Sequence, residues 1–321
     1  MSTRRVAVLS AFLGGLVWLG VVAARLIGRS TLPSLTLILL LGVLVIAPLA
    51  LLLVALPHRT GAQARLYRLA VALQPPAALL AAGALIMDAG PTAMLLSIPW
   101  LAFTLVVAAH GAVRQLRIWP PLEESALNFG LIYLGVGGVW FLASRGGLSF
   151  LGFQEPIVTL TAIHFHFISL GALIFTGMVG RSLHQESSSW GFYRLAAAGM
   201  IVSPFLVALG ITFSVVIEAV ATALATLSLL TLAAITLVRI VPQSAARKSV
   251  LLITASLSIL FTMSFATAYA FGRLTGAWEL SIPTMIEVHG WVNALGFVLP
   301  GLLAWASETP PGRIPASPDL P

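Results

Sequence analysis

Ten stretches of about 20 apolar residues, each long enough to cross roughly 30 Å of hydrocarbon as a helix, divide the chain almost from end to end. They run near 6–27, 35–56, 69–87, 92–113, 125–143, 157–180, 195–213, 217–238, 249–271 and 283–306. Such a chain has little with which to wet a globular surface: 8% of its residues are charged and 59% are apolar, where a soluble domain carries about 25% charge. The sequence therefore predicts an all-α polytopic bundle, a single transmembrane domain over 1–306 whose main partner is the lipid bilayer. A cytosolic enzyme and a nucleic-acid-binding module are excluded, and the absence of cysteine excludes a disulfide scaffold. The first run leads into no small-residue cleavage site and reads as a retained span, not a signal peptide. The stretch 195–238 is too long for one crossing, so a break is expected near Thr212 to Ser214, just before Glu218.

The net charge of +7 and sequence pI near 11.0 would suggest nucleic acid in a soluble protein, but here the basic residues report orientation. With the N-terminus in the cytoplasm, thirteen fall on the cytoplasmic side: Arg4, Arg5, Arg59, Arg65, Arg68, Arg114, Arg117, Arg181, Arg194, Arg239, Arg247, Lys248 and Arg313. Four, Arg25, Arg29, Arg145 and Arg273, fall on the other. The positive-inside rule thus supports ten spans with both termini cytoplasmic. The tail 307–321, with five prolines, is expected to be a disordered cytoplasmic segment. Trp100, Trp119, Trp140, Trp190, Trp278 and Trp305 mostly lie near span ends and read as an interfacial belt.

Ionisable groups at bilayer depth cost about 2.5–3.5 kcal/mol on insertion scales, so each asks for a partner or a function. His58 and His184 fall in loops, whereas His110, His164, His166 and His289 fall in spans, with Glu218 and Glu287 inside or at the edge of theirs. At 1.5 Å per residue, His164 and His166 lie roughly 10–14 Å from the outer face, Glu287 about 6 Å, His289 about 9 Å and Asn293 about 15 Å. Glu218 opens the eighth span from that same face. His110 lies instead toward the inner end, near Asn128.

Two stretches carry this polar layer: T-A-I-H-F-H-F-I-S-L-G from Thr161 and M-I-E-V-H-G-W-V-N-A-L-G-F from Met285. Their elements, T-x-x-H-F-H-F and E-x-H-G-x-x-N-A-L-G-F, resemble those of the YndJ-like family of bacterial integral membrane proteins over about 25 residues. The resemblance implies a bacterial inner-membrane location and no established activity.

Geometry then limits the site. His164 and His166 are about 200° apart on an α-helix and cannot both face one metal, and Glu287 and His289 have the same spacing. His289, Asn293 and Gly296 share one stripe. Three readings compete. The cluster of His164, His166, His289 and Glu287 binds zinc or iron, as its imidazole and carboxylate ligands allow. Alternatively it titrates, with Asn293 orienting an imidazole and Glu218 as a further member. Or histidine and asparagine are interhelical hydrogen-bonding glue. A haem between one histidine of the sixth span and His289 is a form of the first reading that nothing else in the sequence marks. The functions that follow are proton- or metal-linked transport of a small solute or ion, a membrane enzyme acting on a lipid or isoprenoid-like substrate, or a non-catalytic membrane partner.

Overall fold

In the computed structural model the described residues are 2–55, 61–117, 120–183, 188–278 and 280–312. They form ten helices long and apolar enough to cross a membrane: α1 Thr3–Leu26, α2 Ser34–Val54, α3 Gly61–Ile86, α4 Pro91–Arg117, α5 Leu122–Gly146, α6 Ile157–Ser182, α7 Trp190–Phe213, α8 Val215–Gln243, α9 Ala246–Thr275 and α10 Ile282–Ser307. Among the described residues there is no strand, only an isolated bridge between Phe150 and Phe153 in the α5–α6 connection. The long apolar stretch is divided at Ser214, whose side-chain oxygen accepts from Ile217 N and caps α8. His58, His184, Trp119 and the tail from 313 lie outside the described residues. Within the expected disordered tail, Glu308 pairs with Lys248 at 3.2 Å.

The helices alternate in direction. One end of the bundle, the terminal face, holds Thr3 and Ser307, and the other, the distal face, holds the α1–α2, α3–α4, α5–α6, α7–α8 and α9–α10 connections. Two blocks of sequential neighbours, α3–α4–α5 and α7–α8–α9, flank a centre of α2, α6 and α10. The most apolar window of α2 is 94% buried, against 22% for α1; a helix apolar all round belongs inside, one with a free lipid face at the edge.

The three central helices interlock through glycine. A Cβ placed at Gly42 of α2 would lie 3.3 Å from Phe167 of α6. One at Gly171 of α6 would lie 2.5 Å from Val298 of α10, and one at Gly290 of α10 would lie 3.3 Å from Ile38 of α2. Small residues let backbones approach where lipid supplies no hydrophobic drive between helices. Each glycine belongs to a π-helical segment, Gly42–Ile46, Ile168–Leu173 or Met285–Gly290. Prolines explain some of this widening. The π segments ending at Ile46, Ile240 and Val298 each stop two residues before a proline, Pro48, Pro242 and Pro300. Proline lacks the N–H for its turn and its ring crowds the carbonyl four residues back, which a wider turn relieves. The π segment of α6 has no such proline.

Candidate functional site

The π segment of α6 also marks where α6 and α10 part. On its terminal side they are in contact through Gly171 and Val298. Toward the distal face, α6 packs closely on α5 and α2 instead. Residues 206–209 of α7, 222–226 of α8, 265–269 of α9 and 284–293 of α10 include no buried position. These stretches amount to about one turn in α7, α8 and α9 and nearly three in α10, so the distal half of the bundle is loosely packed around α10, an open region termed the cleft.

His164 stands on the wall of this cleft. It lies seven residues from Gly171 on the same side of α6, and its side chain is exposed although about 10 Å along the helix from its distal end. It is near enough to His289 of α10 for the two imidazoles to interact electrostatically. His289 is held from α9: its Nδ1 lies 3.0 Å from the Thr262 carbonyl oxygen. A carbonyl only accepts, so Nδ1 carries the proton and Nε2 is left as the basic nitrogen. One turn further, Asn293 Oδ1 lies 3.0 Å from the Thr262 hydroxyl, which is also 2.9 Å from Ser258 O and shares its single proton. The i, i+4 stripe of His289 and Asn293 therefore faces α9 at Thr262.

The other expected members are elsewhere. His166 is fully buried on the opposite side of α6. Its Nδ1 donates to Ala162 O at 2.7 Å and its Nε2 accepts from Trp100 Nε1 at 2.9 Å, with the rings stacked at 13°. With both nitrogens engaged, neither is free for a metal or a proton relay. Trp100, expected in the interfacial belt, is fully buried in this contact. Glu287 is exposed on α10, away from Thr262 as its spacing from His289 requires. Glu218 is buried at the start of α8 and pairs with Arg273 of α9 at 2.9 Å. His110 lies against Tyr67, ring centroids 5.7 Å apart, while Asn128 Nδ2 donates to Gln115 at 3.0 Å.

Among the described residues no group of three or more histidine, aspartate and glutamate side chains is arranged to hold a metal ion. The expected zinc or iron set of His164, His166, His289 and Glu287 is thus not assembled. A catalytic zinc takes three protein ligands; here His166 faces α4 and Glu287 the exposed side of α10, which leaves two imidazoles.

A second polar cluster was not foreseen as one. Arg114 and Arg181, counted from the sequence among the cytoplasmic-side charges, are buried near the terminal face together with Glu123 and Glu124. Glu124 of α5 accepts a two-pronged contact from Arg181 of α6, Nε to Oε1 at 2.7 Å and Nη2 to Oε2 at 2.8 Å. Arg114 of α4 adds Nη2 to Oε2 at 3.0 Å. The same guanidiniums reach the end of α2, Arg114 to Val54 O at 3.2 Å and Arg181 to Leu53 O at 3.3 Å. Those carbonyls have no partner within their helix and sit at its negative end, which favours cations. A clue was available: the doublet Glu123–Glu124 opens one span while arginines close the spans before and after it.

A protein-family model described as YndJ-like protein matches residues 37–297, an interval that contains both histidine motifs. The chain is 34% identical over 244 residues to a protein of Bacillus subtilis (strain 168) described as the uncharacterized membrane protein YndJ. That match takes in 73% of this chain and 41% of the relative, so the chain spans less than half the length of that relative. No solved structure matches. The family match covers most of the chain, including α2, α6 and nearly all of the glycine interlock, and the chain belongs to the YndJ-like family of integral membrane proteins.

Proposed function

We propose that the protein moves a small solute or ion across a bacterial inner membrane in a proton-linked cycle, with His164 and His289 as the groups that take up and release the proton. The observation that carries the reading is an exposed imidazole on α6 at membrane depth, near enough to a second on α10 to interact with it electrostatically. A histidine serving only as glue is expected to be spent in such contacts, as His166 is with both ring nitrogens engaged, whereas His289 bonds to α9 through Nδ1 and keeps Nε2. Imidazole is the side chain whose ordinary titration falls between pH 5 and 8, so this pair is suited to exchanging a proton under physiological gradients. Proton linkage is preferred to metal linkage because the donor set for a metal is not brought together.

The basic residues favour placing the terminal face in the cytoplasm, so that the cleft opens outward. Asn293 supports His289 indirectly through Thr262, Glu218 belongs to the α8–α9 contact, and His166 belongs to the scaffold. The test is proton flux in proteoliposomes loaded with a pH-sensitive dye and challenged with alkali cations, ammonium and small carboxylates under a fixed membrane potential. At least one solute is expected to drive proton movement that His164→Asn and His289→Asn reduce about tenfold or more, the order expected when an essential proton carrier is removed. Wild-type flux in the doubly substituted protein would overturn the proposal.

A further inference from the structure

The helices around His164 and His289 are almost without charge. Residues 34–54 of α2, 157–180 of α6, 195–213 of α7, 219–238 of α8 and 249–272 of α9 include no aspartate, glutamate, lysine or arginine. Two carboxylates remain on the bordering helices. Glu218 of α8 is tied to Arg273 of α9, a pair that is neutral as a whole, and Glu287 leaves α10 on a different side from His289, two residues away. The other titratable groups are engaged elsewhere: His166 with Trp100 and Ala162 O, Tyr133 with Ile201 O, and Tyr269 beside the Arg273 guanidinium. A proton taken up by the pair therefore brings a positive charge to bilayer depth with no fixed carboxylate of the described residues beside it. We infer, resting on the proton-linked reading, that the solute supplies the missing charge: His164, His289 and Asn293 bind a small monocarboxylate, which travels together with the proton.

Neutrality separates this from cation exchange. A bare pair of imidazoles is uncharged, and so is a pair holding one proton and one monovalent anion. A proton alone, an anion alone or a bound metal cation leaves the site charged, which is costly at bilayer depth. The empty and the fully loaded forms are thus the ones that can turn between the two faces, and coupling of proton to anion follows. Exchange of a cation for a proton would be neutral in both forms only with a fixed carboxylate at the pair.

The pair also sets the valence. The two imidazoles interact electrostatically, so a second proton would set like charges side by side, and one proton balances one negative charge. The donors set the chemistry. With Nδ1 spent on Thr262 O, a protonated His289 presents its Nε2–H. Asn293 turns Oδ1 to the Thr262 hydroxyl, and its amide N–H groups have no partner among the described residues. These directed N–H donors lie one turn apart on α10 and suit carboxylate oxygens, with which an imidazolium forms a charge-assisted hydrogen bond.

The test is calorimetric titration of the full-length protein in detergent with pyruvate, potassium, ammonium and chloride. Buffers of different ionisation enthalpy count the protons exchanged. Pyruvate is expected to bind with uptake of about one proton, and its affinity to fall about tenfold per pH unit once the free imidazoles are neutral. That result needs no variant. His289→Asn should abolish the proton uptake. Asn293→Asp, which sets a fixed negative charge one turn from His289, should weaken pyruvate about tenfold or more in a protein whose thermal unfolding shows it folded. No pyruvate binding, binding without proton uptake, potassium or ammonium bound with proton release, or chloride competing as well as pyruvate would each overturn the assignment. Proteoliposome flux keeps the two ideas apart. Histidine-dependent proton movement driven by a cation and not by pyruvate removes the carboxylate and leaves the transport reading, whereas proton-linked pyruvate binding without flux retains the site and removes transport.

Discussion

The indole N–H of Trp100 donates to Nε2 of His166 at 2.9 Å, joining α4 to α6 through two rings stacked 5.9 Å apart. The bond fixes the tautomer of a fully buried imidazole whose Nδ1 proton is given to Ala162 O. Trp100→Phe keeps most of the ring volume and removes the donor. A buried acceptor left without its partner costs about 1–3 kcal/mol, and thermal unfolding in detergent should register that loss. Unchanged stability would mean that the contact holds nothing.

Chemical modification should distinguish the two histidines of α6 directly. His164 is exposed and His166 is not. Treatment of the folded protein with diethyl pyrocarbonate, read by peptide mass spectrometry, should modify His164 well before His166. Equal rates in a protein that remains folded would contradict the assigned faces of α6.

Gly171 and Val298 form the floor of the cleft, and a Cβ at Gly171 would lie 2.5 Å from Val298 Cγ2. Gly171→Ala is therefore expected to destabilise by about 1–3 kcal/mol through overpacking. Adding Val298→Ala frees the space, so the double variant should be more stable than the sum of the single effects. Additive losses would show that the two positions do not press on each other.

Removing one member of the Glu124 cluster leaves a buried charge short of its partner, which costs about 3–5 kcal/mol. Arg181→Met alone should lose that much, and Arg181→Met with Glu124→Leu and Arg114→Met, which replaces the whole triad, should recover a good part of it, since an apolar replacement of a buried pair or triad is often tolerated. By contrast, Arg273 is partly exposed in its pair with the buried Glu218, and the amide of Arg273→Gln can still donate to that carboxylate, so this change should cost less, about 1–2 kcal/mol. Chemical denaturation of the three variants would test the ordering.

The helical architecture was legible because hydropathy reports the solvent of whole segments, and a run such as 35–56 leaves no other choice. Even the divided stretch was readable, since Ser214 is a capping residue placed before an acid. The site was half legible. The stripe of His289 and Asn293 followed from α-helical spacing, and so did the conflict between His164 and His166. Which of the pair faces α10 did not follow, because it depends on where Gly171 meets Val298, a tertiary contact. Glu124 was missed for a physical reason: charges near span ends read as solvated loops, and only the fold reveals that the ends of α2, α4, α5 and α6 converge and exclude water there.

The wide turn at Ile168–Leu173 carries one residue more than an α-helix would use over the same arc. Because the extra residue is taken up in the wider turn, deleting it would restore regular geometry and leave His164 and Arg181 facing their present neighbours. A deletion elsewhere in α6 has no such slack: it would turn everything beyond it by about 100° and swing His164 off the line to His289 while Arg181 kept its place by Glu124. The segment is thus the one stretch of α6 whose length can change without disconnecting one end of the helix from the other.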